Sequence, residues 1–195
     1  MNTRFAKIAR TRLLTPEQNG LVIGSMLGDG YLVKTTSGYA FRVNHGLRQT
    51  DYVNWKHKKL IDFVNSKPRQ SGSTYYFRTI SHPKFVELRK LFYKDRTKVI
   101  PKKFLETYLD PFVLAVWIMD DGSRDGRQLR INTQCFSSEE HVILQNVLRA
   151  KLGIETTLNR DKKQLRLRVR EKSMQTLRNL VMPYIIPSML YKLIP

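Results

Sequence analysis

Residues 114–122, LAVWIMDDG, constrain this chain more than any other stretch. A helix built from LAVWIM has no polar face, so it must be buried all round. It then runs into two adjacent aspartates, Asp120 and Asp121, and a glycine. Carboxylates at a helix C-terminus are opposed by the macrodipole, so a buried pair there is either compensated or put to use. Residues 22–30, VIGSMLGDG, are a weaker echo that also ends on Asp-Gly, 92 residues earlier. Two such helices packed side by side would bring Asp29 and Asp121 together. Two carboxylates in matching places imply a cation.

The flanking sequence sets both helices. Thr15-Pro16-Glu17-Gln18 is a helix start with a capping box, and the pattern runs to about Asp29 before Gly30 stops it. Gly20, Gly24 and Gly28 recur on one face. Each costs roughly 1 kcal/mol relative to alanine, which points to close approach of another backbone. Asp110 and Pro111 start the second helix.

Between and after these helices the chain repeats itself. Residues 31–36 and 40–45 read as a hairpin around Ser37-Gly38, 51–64 as a helix, 74–80 as a strand and 83–93 as a helix. A basic connection follows over 94–103. The same order returns with strands at Leu129 and Ile131 and at 164–170, and helices over 139–152 and 172–182. Phe41-Arg42-Val43-Asn44 matches Leu129-Arg130-Ile131-Asn132, Leu88-Arg89-Lys90-Leu91 matches Leu177-Arg178-Asn179-Leu180, and Val99-Ile100-Pro101 matches Ile185-Ile186-Pro187, at offsets of 88, 89 and 86 residues. Four matches in one order, the Asp-Gly pair included, predict an α/β (α+β) protein of two pseudo-symmetric αββαββα halves.

Charge narrows the function classes. With 35 Lys and Arg against 16 Asp and Glu in 195 residues, the formal charge is +19. Such a surface seeks a polyanion, and nucleic acid fits the interleaved Tyr and Phe better than an anionic membrane or an acidic protein does. The longest apolar run, 112–119, is far too short to span a bilayer. Cys135 is the only cysteine, which excludes an internal disulfide framework and a cysteine-based zinc site and fits a reducing, intracellular setting. Residues 1–16 carry Arg4, Lys7, Arg10 and Arg12 without an acid. Part of a transit peptide can share that composition; a basic arm along DNA phosphates fits better.

The strands carry the basic residues at period two. Leu165, Leu167 and Val169 alternate with Arg166, Arg168 and Arg170, so three like charges share one face, an unfavourable arrangement unless an anion lies across them. With Arg42, Arg78 and Arg130 they predict a sheet whose open face is a basic groove, nearly free of glutamate. Arginine beside Asn44, Asn132 and Gln134 suits readout of guanine and adenine edges. Hydrolysis would follow only from the aspartates: Mg²⁺ prefers hard oxygen ligands and commonly takes one or two carboxylates plus substrate phosphate. His45, His57, His82 and His141 lack the spacing of a His-Asn-His nuclease and read as surface or DNA-facing residues.

VIGSMLGDG and LAVWIMDDG resemble the two signature helices of the LAGLIDADG homing endonucleases. LAVWIMDDG, the strand LRINTQCF and the ending PYIIPSMLYKLIP are similar to its single-chain, two-motif, intron-encoded yeast mitochondrial type. The resemblance covers about residues 15–195 and implies antiparallel sheets forming a DNA-binding saddle with the motif helices at its centre. It divides the chain into a basic arm (1–14), a first half (15–97), a linker (98–109) and a second half (110–195). Asp29 and Asp121 fall on the acidic metal-ligand positions, and Asp120 becomes secondary. KVIP and MLYKL align Lys98 and Lys192 with the family's basic residue near each metal site. Arg48 joins the expected DNA contacts. The resemblance implies a monomer, with no obligate protein partner, that makes double-strand breaks in a long DNA target with Mg²⁺, Mn²⁺ being able to substitute, and leaves short 3′ overhangs. It also implies an organelle, mitochondrion or chloroplast. Two rivals use the same scaffold: a maturase acting on its host intron RNA, and a non-cleaving DNA-binding protein. In the second motif Val116 and Asp120 stand where small residues would be expected, so bulky side chains must enter the glycine groove of the first helix.

Overall fold

The computed structural model describes residues 4–161 and 164–194. A short helix, α1 (Arg4–Thr11), precedes a first half made of α2 (Pro16–Leu27), β1 (Tyr31–Thr35), β2 (Gly38–Gly46), α3 (Thr50–Lys59), β3 (Arg69–Ser71), β4 (Thr74–Ser81) and α4 (Pro83–Phe92). The second half repeats that order with α6 (Pro111–Asp121), β7 (Gly122–Asp125), β8 (Gln128–Ile131), α7 (Ser138–Leu152), β9 (Thr156–Asp161), β10 (Gln164–Val169) and α8 (Met174–Val181). The connection is more structured than its basic composition suggests: β5 (Tyr93–Lys94) and β6 (Thr97–Lys98) pair, and α5 (Lys102–Tyr108) follows.

Each half builds a four-stranded antiparallel sheet, and the strand orders β1-β2-β4-β3 and β7-β8-β10-β9 correspond position for position. Phe41, Val43 and Phe77 in one sheet, and Leu129, Ile131, Leu167 and Val169 in the other, are buried in a common core around α2 and α6. The motif helices are the centre of the molecule because their apolar stretches have no polar side to offer water; every residue from Gly20 to Leu27 in α2 and from Val113 to Asp120 in α6 is buried.

Local chemistry explains the element ends. The capping box at Thr15 forms as its sequence dictates, Asp110 accepts from Val113 N, and Ser137 closes a second box with Glu140. α2 stops at Leu27, two residues short of expectation. Gly28 N and Gly30 N both fold back on Ser25 O, at 3.1 and 2.8 Å, and so turn the chain into β1. α3 likewise ends at Lys59 and passes into a 3-10 turn over Ile61–Phe63. β8 ends at Ile131, so Asn132 and Gln134 lie beyond the strand predicted to carry them. The cause is Thr133, which is buried with its hydroxyl 2.9 Å from His141 Nε2 and accepts Leu167 N at 3.1 Å, taking the place of a main-chain ladder partner.

Candidate active site

The asymmetry of the two motifs is resolved by packing. A Cβ on Gly24 would lie 2.6 Å from Val113 O and 2.7 Å from Val116 Cβ, and one on Gly28 would lie 2.5 Å from Asp120 Cβ. The glycine face of α2 is thus a groove filled by α6. Bulky residues on one side require none on the other.

This contact carries both helix ends to one place. Asp29 follows α2 and Asp121 ends α6, and each carboxyl is raised above its ordinary range. Burial is the largest cause for both. The charge of Asp120 adds to it at Asp29; at Asp121 the charges of Asp29 and Asp120 add, and its carboxyl reaches about 8. Lys98 and Lys192 pull in the opposite direction at both acids.

One lysine sits beside each aspartate, though the two bond different carbonyls. Lys98 Nζ donates to Gly28 O and Gly30 O at 2.6 and 2.8 Å, around Asp29. Lys192 Nζ donates to Met119 O and Asp120 O at 2.6 and 2.8 Å, next to Asp121. Each lysine therefore satisfies main-chain carbonyls where a motif helix ends and offsets the negative end of its dipole. Burial lowers the pKa of both.

Asp120 is different in kind. Its side chain is fully buried and accepts from Lys56 Nζ at 2.6 Å, Tyr52 OH at 2.7 Å and Asp29 N at 3.2 Å. Burial alone would raise this carboxyl; the charge of Lys56 and the hydrogen bonds from Lys56 and Tyr52 outweigh it and hold it below the usual range. Lys56 also donates to Ser25 Oγ at 2.8 Å. Gly28 faces Asp120 across the groove, so the first motif has no equivalent carboxylate and the two helix ends are unlike.

His45, Lys56 and Tyr52 were not among the residues expected here. His45 is a correction: its side chain is buried, with Nδ1 3.5 Å from Asp29 Oδ2 and Nε2 3.7 Å from Asp120 Oδ1. Burial first, and then Lys56, lowers its pKa to about 4, so it is neutral at pH 7 and these are not ion pairs. His82 and His141 are buried too. A signal for Lys56 was available: it falls at i+4 from Tyr52 and i−4 from Leu60, on the apolar stripe of its helix.

Which residues could hold a cation follows from the donor set. Among the described residues no three His, Cys, Asp or Glu side chains form a metal cage. Asp29 and Asp121 offer hard oxygens and mutual repulsion that a divalent cation would relieve, leaving further positions for substrate oxygens, as suits Mg²⁺. Cation binding below pH 8 must displace the Asp121 proton. Mg²⁺ titrated at pH 7 is therefore expected to release about one proton from Asp121 and at pH 9 almost none from it, measured by calorimetry in buffers of different ionisation enthalpy.

The basic residues line the other side of the sheets. Tyr31 pairs with Arg42 and Arg42 with Arg78, while Asn44 pairs with Tyr76. In the second half Ser123 pairs with Arg130, Arg130 with Arg168, and Arg166 with Asn159. Directly opposed residues share a face, so these rows stand away from the core. The Arg42 guanidinium stacks 4.5 Å over the Tyr76 ring. Arg42 Nε, Arg130 Nε and Asn44 Oδ1 are buried atoms without a hydrogen-bond partner, a rare condition that an incoming ligand would satisfy. No glutamate lies within β9 or β10, but acids from neighbouring segments approach the arginines: Asp125 of β7 lies 3.1 Å from Arg168, and Glu155, just before β9, lies 3.9 Å from Arg170. Arg170 lies just past β10, and Arg48 is exposed on a 3-10 turn after β2.

Two duplicated sheets, arginine-faced, under two helices that meet at paired aspartates define a two-motif nuclease scaffold. The profile of the LAGLIDADG DNA endonuclease family matches residues 20–177, and the chain belongs to that family. It is similar over its length to the solved homing endonuclease I-WcaI bound to its DNA recognition sequence, with a TM-score of 0.89, 27% identity and coverage of 99% of this chain and 93% of that one. A probable intron-encoded endonuclease 1 of Wickerhamomyces canadensis is 28% identical over 93% of this chain and 85% of its own. The cytochrome b mRNA maturase bI2 of Saccharomyces cerevisiae is 33% identical over 89% of this chain, which spans only 46% of that relative's length.

Proposed function

We propose that this protein is a monomeric homing endonuclease that binds a long double-stranded DNA site across both sheets and cuts both strands in an Mg²⁺-dependent reaction, with Mn²⁺ able to substitute. By family resemblance the cuts cross the minor groove and leave short 3′ overhangs. The observation that carries the reading is the pairing of Asp29 and Asp121, whose raised carboxyls Lys98 and Lys192 offset only in part, at the junction of two basic sheets. The halves are 15–97 and 110–195, joined by 98–109. An organellar intron is the natural setting, in keeping with relatives named for introns and for cytochrome b mRNA. The maturase reading rests on the same S. cerevisiae relative.

Asp29 and Asp121 would hold Mg²⁺ together with phosphate oxygens. When bound, the metal supplies charge neutralisation at the phosphate and a lowered pKa for water. The chain's own residues do the rest. The arginine rows fix the duplex, the helix contact sets the spacing of the carboxylates, and each lysine adds positive charge beside one of them. The test is a plasmid carrying the sequence obtained by rejoining the DNA that flanks this reading frame. Linearisation with Mg²⁺ is expected; tight binding of host intron RNA with no DNA cutting would replace this reading with the maturase.

Truncating Arg166, Arg168 and Arg170 together to Ala should weaken DNA binding and flatten its salt dependence. Each phosphate contact removed lowers the slope by about 1, whereas a guanine contact costs about 1–3 kcal/mol at one base position. Arg168 should give the smallest change, since Asp125 already offsets part of its charge. Binding unchanged in the triple variant would place β10 off the DNA.

Lys98→Met and Lys192→Met should each slow single-turnover cleavage by about 10²-fold with little change in affinity. Each lysine serves one helix end, so nicked plasmid should accumulate in either variant. Linearisation at the unmodified rate in both would reduce the lysines to helix-end donors alone.

A further inference from the structure

Helix α1 occupies an unexpected side of the molecule. Its Ala6 and Ala9 pack on Ile80 of β4 in a cluster separate from the main core, whereas Phe77 of the same strand enters that core. Two alanines allow a helix to approach a sheet closely, and polar contacts fix it there. Arg10 Nε donates to Ser81 O at 3.2 Å, His82 Nε2 lies 2.9 Å from Arg12 O, and Arg12 pairs with Asp62 at 2.7 Å. What composition reads as a loose basic arm is therefore, from Arg4 onward, a wall at one end of the basic face.

Between that wall, the sheet and the segment entering β3 lies a cavity of about 490 Å³. Arg10, Arg42, Lys67, Arg69 and Arg78 line it, hydroxyls fill much of the remaining lining, and among the described residues no carboxylate does. Arg42 and Arg78 stand directly opposite each other on neighbouring strands, an unfavourable placement for like charges. The second half differs: there the corresponding face neutralises itself in part through Asp125 and Arg168. A cavity with five cations and no acid is stabilised by a polyanion that brings its own charge. Its continuity with the arginine row makes that polyanion the same duplex.

We propose that this cavity is a backbone clamp. It takes the sugar-phosphate backbone of the DNA flank next to the first half and lengthens the bound site at that end only. The proposal rests on the DNA-binding reading above and adds to it a site, a ligand group and a polarity. Helix α1 and β3 would grip one strand between them, while the arginine rows read the groove.

The experiment uses the full-length chain with Lys67→Gln/Arg69→Gln, both exposed in the fold. Affinity for a duplex target is measured against salt, with hydroxyl-radical footprinting and with duplexes trimmed stepwise from either end. The variant is expected to lose about 2 from the salt slope, so that its affinity falls about tenfold less than that of the wild type between 50 and 200 mM salt. Its footprint should shorten at one end, and trimming that end should weaken the wild type but not the variant. An unchanged slope and footprint, with wild-type protein binding the duplex normally, would overturn the clamp and leave the DNA reading intact. Wild-type protein that binds no duplex would overturn the reading beneath it. A slope change on host intron RNA alone would refute DNA as the occupant.

Discussion

Asp121→Asn is expected to abolish double-strand cleavage, by at least about 10²–10³-fold, while leaving DNA affinity within about twofold; Asp29→Asn should do the same. Affinity in such a protein comes from cations spread over two sheets, and neither aspartate belongs to them. Asp29 and Asp121 instead offer a pair of hard-oxygen ligands where the motif helices meet, while Asp120 is taken up by Lys56 and Tyr52. A second readout separates this role from a structural one. Asp121 has a pKa of about 8 in the folded chain against 3.8 as a free side chain, so the unfolded state gives up its proton first as pH rises. Stability contributed by the protonated group is complete below pH 4 and is lost progressively up to about pH 8. Asparagine cannot ionise, so the metal-free variant should be more stable than the wild type at pH 8, with the gap closing toward pH 4. Thermal unfolding across that range checks it. A variant both inactive and less stable at pH 8 would mean that Asp121 supports the fold.

The candidate site at the centre was legible in the sequence for a physical reason. Two carboxylates at the ends of apolar helices violate local rules, and such violations mark functional sites. The duplication was legible for another reason: hydrophobic periodicity and caps at Thr15 and Asp110 are local signals, and they fixed both the element order and the pairing of Asp29 with Asp121. The contacts around Asp120 were not, because they join α3 to α6 across 64 residues and depend on which way a lysine points. The same limit hid Asp125 beside Arg168, since no pattern within one strand reveals the charge on its neighbour. Thr133 ended β8 through a side-chain hydrogen bond that alternation cannot foresee. Helix α1 escaped notice because Ala6 and Ala9 are too small to give an apolar stripe.

The second large effect is expected at Lys56. Lys56→Met should destabilise the protein by about 3–5 kcal/mol, because it strands a fully buried carboxylate without its counter-charge. The remaining donors to Asp120, Tyr52 OH and Asp29 N, are neutral, and His45, 3.7 Å away, is uncharged at pH 7 and supplies no counter-charge. The cost should fall sharply in Lys56→Met/Asp120→Asn, where no charge is left unpaired, so the coupling in a double-mutant cycle should be large. The pH dependence gives an independent sign. Asp120 is held below its ordinary value of 3.8, so its contribution is fully present above pH 3.8 and is lost as acid protonates the folded carboxyl. The wild type should lose this increment in acid, and Lys56→Met should not. Function should follow unequally. Asp120 accepts from Asp29 N, and among the described residues no carboxylate does the equivalent at Asp121, because Gly28 occupies the matching place just past α2. The double variant, stable enough to assay, should therefore slow the strand cut that depends on Asp29 more than the other and accumulate one nicked product. Equal slowing of both strands would show that the buried pair supports the helix contact as a whole and not the placement of Asp29.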